Sequence, residues 1–248
     1  MELNFINSLF SLKDKVCVVS GASRGIGYGI AQAFYEAGAY VHGLGRTSED
    51  VVNVKWNYHC CDVTNKEKIQ KIYKNIYEKE KGIHVLVNAA GITKPNSYSL
   101  EDFRQTIEIN LIAIYNSCNE IFPLMRDTGG GSIINITSIG ASYGFPNNPS
   151  YGASKGGLQT LSKSLAIDFS NEKIRVNNLV PGYIKTDMTI KSFENEVMNN
   201  IRREKTILKR WGEIKDLFGA AIFLASDASS YITGTDLIVD GGWTAKGL

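Results

Sequence analysis

Short apolar runs alternate with amphipathic stretches along almost the whole chain. The runs at 15–20, 40–45, 57–62, 83–89, 132–137, 175–180 and 236–240 are strand candidates. Segments such as Lys15-Val16-Cys17-Val18-Val19-Ser20 are continuous and β-branched, without in–out alternation, as expected of strands buried on both faces. Helical periodicity falls near 25–37, 65–80, 100–126, 151–169 and 213–226. In the second of these, Ile69, Ile72, Tyr73, Ile76 and Tyr77 share one face and lysines occupy the other. Ser99, with Asp102 three residues on, gives the third a capping-box-like start. Strand–helix alternation of this kind predicts an α/β fold: a doubly wound, parallel, seven-stranded sheet with helices on both faces. With no internal repeat, low-complexity tract or Pro/Ser-rich linker, one domain over 1–248 is expected.

Residues 183–211 interrupt the rhythm. This long polar stretch follows Pro181-Gly182 at the end of a strand, where ligands of open α/β sheets bind. It reads equally well as a lid over a substrate and as a peripheral helical excursion.

Composition narrows the function classes. Of 248 residues, 43% are hydrophobic and 21% charged, ordinary values for a globular protein. A net charge of +2 gives no reason to expect nucleic acid or an anionic membrane as partner. The first fifteen residues carry an early acid and no long apolar core, unlike a secretory signal. No stretch approaches the roughly 20 apolar residues of a membrane span. Cys17, Cys60, Cys61 and Cys118 form no CxxC pair, so reduced thiols in a cytoplasmic protein are expected. His42, His59 and His84 lack metal-ligand spacing, and no metal site is expected.

Against this background the stretch VVSGASRGIGYG, residues 18–29, stands out. A buried-type strand precedes it, and Ile26, Ile30, Phe34 and Ala37 recur after it at helical spacing. Gly21, Gly25 and Gly27 thus lie on a strand-to-helix turn, where main-chain amides and the helix dipole can receive a phosphate. The spacing is GxxxGxG, not the GxGxxG of the standard dinucleotide fingerprint, and a plain tight turn is the alternative.

The sharpest chemical signal is Tyr151-Gly152-Ala153-Ser154-Lys155. Residues four apart at a helix start share one face, and a neighbouring ammonium favours the phenolate. Such a tyrosine can protonate a nascent alkoxide or deprotonate an alcohol. Ser138 ends the run Ile133-Ile134-Asn135-Ile136-Thr137, where its hydroxyl could polarise a carbonyl. A serine nucleophile is the rival reading, but no GxSxG elbow accompanies it.

Taken together, these motifs resemble the short-chain dehydrogenase/reductase family over nearly the whole chain. SGASRGIG resembles the family's TGxxxGIG loop, with Ser20 in place of threonine, and Asn88-Ala89-Ala90-Gly91 resembles its NNAG. The resemblance implies a Rossmann fold and a catalytic tetrad of Asn110, Ser138, Tyr151 and Lys155. Hydride would pass between nicotinamide and a carbonyl carbon while Tyr151 gives or takes the proton and Ser138 binds the substrate oxygen. Lys155 would bind the nicotinamide ribose and lower the tyrosine pKa, and Asn110 would hold a proton-relaying water. For the dinucleotide the resemblance implies Gly21, Ser23, Arg24, Gly25, Ile26 and Gly27 in the first loop. It adds Asp62 and Val63, then Asn88, Ala89 and Gly91, and finally Pro181, Gly182, Ile184 and Thr186, with Tyr151 and Lys155. For Asp62 a strand-end turn acid is the alternative, and for Asn110 a buried polar group bonded to its neighbours. Asp240-Gly241-Gly242 matches the family's C-terminal signature.

An NAD site places an acid at the end of the second strand, about 20 residues past the glycine loop. Here His42-Gly43-Leu44-Gly45-Arg46-Thr47 carries no carboxylate before Glu49. Arg46, with Arg24, could grip a 2′-phosphate instead, which favours NADP(H) over NAD(H). Lys209-Arg210-Trp211-Gly212 and Asp240-Gly241-Gly242-Trp243 look most like members acting on sugar acids and polyols, of the gluconate 5-dehydrogenase type. The expected substrate is therefore a small polar carbonyl or alcohol. A 3-oxoacyl-(acyl-carrier-protein) reductase is the alternative, less favoured because its acidic partner needs a basic rim and Arg126-Asp127 and Glu172-Lys173 are mixed. A nucleotide-binding regulator without turnover is the alternative from another class. Ala153, Gly157, Thr160 and Ser164 make a small-residue stripe that would permit close helix approach, and a homotetramer is expected by resemblance.

Overall fold

The computed structural model describes residues 2–49 and 52–246. Seven parallel strands form one sheet: β1 (Val16–Ser20), β2 (Tyr40–Gly45), β3 (Asn57–Cys60), β4 (Val85–Asn88), β5 (Gly131–Ile136), β6 (Ile174–Pro181) and β7 (Asp236–Val239), in the order β3-β2-β1-β4-β5-β6-β7. Each coincides with an expected run to within a few residues. Side chains along a strand alternate between two apolar layers, which is why the runs are continuous. Val16, Val18, Leu86 and Ile133 enter one core, and Cys17, Val19, Val87 and Ile134 enter the other.

The first layer is closed by α3 (Lys66–Glu80), α5 (Ala113–Thr128) and α6 (Pro149–Asp168). The second is closed by α2 (Gly25–Glu36) and α9 (Phe218–Ala225), the latter entered through a tight 3₁₀ turn at Ile214–Leu217. Ile69, Ile72, Tyr73 and Ile76 are the buried face of α3, as periodicity predicts. Asn65 Oδ1 caps that helix by accepting the Lys68 N–H at 2.9 Å.

The continuous helix expected over 100–126 is instead two. The first, α4 (Leu100–Ile107), leads into a π-helical turn at Glu108–Ile112, and α5 follows. The Ala113 N–H reaches the Glu108 carbonyl five residues back, and the widened turn is centred on Asn110. Ser99 Oγ accepts the Asp102 N–H (3.1 Å), but the return arm of the expected box is absent: Asp102 accepts from Ser97 Oγ at 2.6 Å. Sequence periodicity also left out α1 (Glu2–Leu9). In 183–211 the chain forms α7 (Ile190–Glu194) and α8 (Glu196–Lys205), so the segment is largely helical. Asn195 Oδ1 accepts the Met198 N–H (3.0 Å), and Arg202, Arg203 and Lys205 complement the far end of α8.

A polar chain crosses the first core. The Tyr73 hydroxyl and Ser117 Oγ lie 2.7 Å apart; Ser117 Oγ donates to Asn88 Oδ1 at 3.0 Å, Asn88 Nδ2 to Asn135 Oδ1 at 2.9 Å, and Asn135 Nδ2 to Ser162 Oγ at 2.8 Å. These buried groups satisfy one another and tie β4 and β5 to α5 and α6.

Candidate active site

Strand order reverses between β1 and β4, so their diverging chain ends open a crevice at the carboxyl edge. Ser20 Oγ spans that edge, accepting the Ala89 and Ala90 N–H groups at 3.2 and 3.4 Å. Gly21 has φ +71°, and a Cβ there would lie 2.8 Å from Ala90 N. A Cβ on Gly27 would run into the Gly21 carbonyl, so the helix start can approach the strand only as glycine. Gly25, at φ +61°, faces open space. No side chain caps the start of α2 and no acid occupies its first turn, so its first amides are left as donors. This open glycine cradle at an uncapped helix start fits a dinucleotide pyrophosphate. The turn is therefore more than a tight bend.

Ser138 follows β5 and is buried; its Oγ accepts the Gly140 N–H at 3.0 Å and hydrogen-bonds the Tyr151 side chain. Tyr151 and Lys155 lie one turn apart on α6, which begins with Pro149 in its first turn. The lysine is almost wholly buried and donates to the Ile136 carbonyl at 2.7 Å, with Nζ 6.0 Å from the Tyr151 ring centroid. Burial raises the Tyr151 pKa above the usual phenol value, and the hydrogen bond to Ser138 offsets part of that rise. Burial also lowers Lys155 to about 8.

Asn110 is fully buried. Its Oδ1 accepts the Ile92 N–H (2.8 Å), while Nδ2 donates to the Ile92 carbonyl (2.9 Å) and to Ser154 Oγ (3.1 Å). Both amide hydrogens are engaged, so its side chain fastens the Gly91–Ile92 turn to α6. Asn88 likewise turns its side chain into the core, leaving only main chain at the crevice.

The remaining expected residues spread along the same edge. Arg24 and Arg46 are exposed, and neither guanidinium has an ion-pair partner among the described residues. Glu49, the nearest acid past β2, accepts the Cys60 N–H at 3.0 Å. Asp62 is exposed and closes its own turn, accepting from Thr64 N–H (3.0 Å) and Thr64 Oγ1 (2.8 Å). Val63 follows it, half-buried. Ile26 packs on the second core, and Ser23 Oγ would lie 3.2 Å from a Cβ on Gly45. Beyond β6, buried Pro181 leads to Gly182, where a Cβ would meet Asp240 Cα at 2.7 Å; Ile184 bridges to Gly212, and the Thr186 N–H is held by Thr189 Oγ1 at 3.0 Å.

Two features escaped sequence reasoning. The Tyr58 hydroxyl donates to the Thr47 carbonyl (3.2 Å) and hydrogen-bonds Ser23, standing where β1 and β2 end. Phe145, Tyr183, Trp211 and Trp243 gather into one aromatic wall. They come from four separate loops, so no local spacing could reveal them. By contrast, Asn195 and the basic run 202–205 do signal α8 in the sequence.

Comparisons with known proteins agree with this geometry. The family profile described as enoyl-(acyl carrier protein) reductase matches residues 21–244. The chain is 37% identical over 244 residues to the 3-oxoacyl-(acyl-carrier-protein) reductase FabG of Chlamydia trachomatis, covering 93% of this chain and 98% of that one. It is 32% identical over 250 residues to the gluconate 5-dehydrogenase of Gluconobacter oxydans, covering 96% and 98%. The structure superposes with a TM-score of 0.92 on a gluconate 5-dehydrogenase from Burkholderia cenocepacia in complex with NADP and tartrate, at 28% identity and covering 97% and 99%.

Proposed function

The chain belongs to the short-chain dehydrogenase/reductase family and is an oxidoreductase acting on CH–OH groups; from that premise we propose that it is an NADP(H)-dependent enzyme interconverting a ketone and a secondary alcohol on a small sugar acid or polyol. The observation that carries the chemistry is the hydrogen-bonded pair of Tyr151 and Ser138 beside an open glycine cradle. When bound, the dinucleotide supplies the hydride donor or acceptor. The chain itself positions the reacting oxygen and moves its proton.

Ser138 Oγ accepts from the Gly140 N–H, which leaves its hydroxyl hydrogen free to donate to a substrate oxygen. Tyr151 donates its proton to the alkoxide forming during reduction and takes one from the alcohol during oxidation. A phenol pKa raised by burial keeps it protonated, and hence a donor, at neutral pH. Lys155, whose pKa burial lowers to about 8, would hold the nicotinamide ribose. Asn110 acts through the Gly91–Ile92 turn as a positioning residue. The cradle from Gly21 to Gly27 would bind the pyrophosphate, and Asp62, Val63, Asn88, Ala89 and Gly91 would hold the adenine and ribose side. Pro181, Gly182, Ile184 and Thr186 would hold the nicotinamide side, and 183–211 would serve as the lid.

NADP(H) is supported by two exposed arginines, Arg24 and Arg46, just past the ends of β1 and β2, neither with an ion-pair partner among the described residues. Glu49, the nearest acid past β2 among the described residues, is turned onto the Cys60 main chain. A sugar-type substrate is supported by the aromatic wall, whose ring faces suit the C–H faces of polyols. The relatives named as acyl-carrier-protein reductases favour a second reading, a carrier-bound 3-oxoacyl thioester. Against it, Arg126, on the expected rim, is paired with Asp127 at 3.0 Å. The protein is further proposed to be a cytoplasmic homotetramer; among the described residues no helix is long and apolar enough to cross a membrane.

The test is a turnover screen with NADPH and NADH over sugar-acid ketones, diketones and 3-oxoacyl thioesters. The reading requires NADPH oxidation with a sugar-acid ketone. Turnover confined to the thioesters would replace it with the carrier-protein reading.

A further inference from the structure

The aromatic wall adjoins the groups that handle the proton. The two are in contact. A Cβ on Gly140, whose N–H holds Ser138, would meet the Phe145 ring at 2.9 Å. Phe145 stacks on Tyr183 with centroids 6.0 Å apart and 21° between planes, and Trp243 sets its edge against both. Tyr183 also leans on Trp211 at 5.6 Å. Above these last two rings lies Arg202 of α8, its guanidinium carbon 4.5 Å from the Tyr183 centroid and 5.5 Å from that of Trp211.

We propose that Arg202 is the substrate's anion-binding residue: it pairs with a carboxylate carried several carbons away from the reacting one, and so sets the preference for acids over neutral polyols. This rests on the sugar-type reading above and adds which residue recognises the acid and at which end.

Three observations support it. First, three neighbouring cations, Arg203, Lys209 and Arg210, are engaged by carboxylates. Arg210 grips Asp216 with two bonds, at 2.6 and 3.0 Å, while Glu204 takes Lys209 at 2.7 Å and Arg203 at 3.8 Å. Arg202 has no carboxylate within ion-pair distance among the described residues. Second, a guanidinium stacked on a ring is held in place while N–H donors in its plane stay available for bidentate pairing. The Tyr183 and Trp211 rings beneath it hold the guanidinium in place, which leaves its in-plane fork available. Third, the path from Ser138 to Arg202 runs through Gly140, Phe145 and Tyr183. A carboxylate paired with Arg202 is therefore separated from the reacting oxygen by the width of two stacked rings, which suits a distal acid rather than a 2-hydroxy acid.

The experiment uses the whole protein with NADP⁺ and two probes of equal chain length, D-gluconate and its neutral counterpart D-sorbitol. Variants are Arg202→Met, which keeps the stem and removes the charge, and Arg202→Lys, which keeps the charge and removes the fork. Tartrate binding, followed by tryptophan fluorescence through Trp211, is measured in parallel. Losing a charge-assisted pair predicts at least about a tenfold rise in KM for gluconate in Arg202→Met. Sorbitol kinetics and the gluconate kcat should change less than about twofold, within the effect of a neutral contact. Arg202→Lys should recover part of the loss, and tartrate should bind the wild type but not Arg202→Met. Equal KM shifts for both probes would overturn the proposal. If the wild type oxidises neither probe, the sugar-type reading fails, and tartrate binding decides the role of Arg202 separately. Binding lost only in Arg202→Met upholds it, and binding absent from the wild type or equal in both proteins overturns it.

Discussion

Arg46 leaves the end of β2 with its side chain in solvent and no ion pair among the described residues. If it holds a 2′-phosphate, Arg46→Asp removes a charged hydrogen bond worth roughly 1.5–3 kcal/mol and adds repulsion. Since about 1.4 kcal/mol is tenfold in binding, the KM for NADPH should rise at least tenfold while that for NADH changes little; an equal effect on both cofactors would make Arg46 plain surface. Lys155 makes a prediction about stability. Its folded pKa of about 8 lies below the unfolded value near 10.5. Between these values the unfolded chain binds more protons, so the native state gains stability as pH rises through that window. The unfolding midpoint of the wild type should therefore climb relative to Lys155→Met from about pH 8 to 10; parallel curves would mean that burial does not burden the ammonium. At this scale the sequence disclosed identities better than contacts. Tyr151, Ser138 and Lys155 could be named from spacing, yet only packing shows that Lys155 turns to the Ile136 carbonyl and that Ser138 is the phenol's partner. Asp62 could be placed at a strand end, but its use of Thr64 as partner depends on how the turn closes.

Among the elements, the strands were legible because a parallel strand buried on both faces has no polar side, and its apolar run marks it unambiguously. The helices were less so. All residues from 100 to 126 fit one helical period, and nothing in that pattern announces the π turn at Asn110. The turn accompanies a distant contact, the grip of Asn110 on Ile92. The polar segment 183–211 resisted assignment because α7 is only five residues long and neither α7 nor α8 has a buried residue, although α8 is amphipathic. Asn88 and Asn135 sit in strands that read as purely apolar, and the reason is the polar chain linking β4 and β5 to their helices. Asn135→Ala removes the acceptor of Asn88 Nδ2 and the donor to Ser162 Oγ. Each buried group left unpaired costs about 1–3 kcal/mol, so urea unfolding should show a loss of at least that size. A loss below about 0.5 kcal/mol, the low end for a single hydrogen bond, would mean that water replaces the missing partners.

For the molecule as a whole, the stripe proposed for subunit contact is available. Ala153, Thr160 and Ser164 on α6 are exposed, and Ile167 beside them is 75% exposed; Leu158, Leu165 and Phe169 serve the chain's own core. Gly157 instead receives Leu111 from within the chain. Sedimentation at micromolar protein should give the mass of four chains, and a monomer would contradict the proposed assembly. Assembly, cofactor and substrate all bear on a single claim, that this protein moves a hydride at a C–OH centre with Tyr151 moving the proton. The most direct measurement compares wild type and Tyr151→Phe for NADPH turnover and for NADPH binding in the same preparation. The change removes one oxygen and the hydrogen bond to Ser138, with little change in volume. The account predicts that turnover with any active carbonyl falls at least about a hundredfold, the scale of general acid–base catalysis, while NADPH affinity is retained. Turnover within a few-fold of wild type would contradict it.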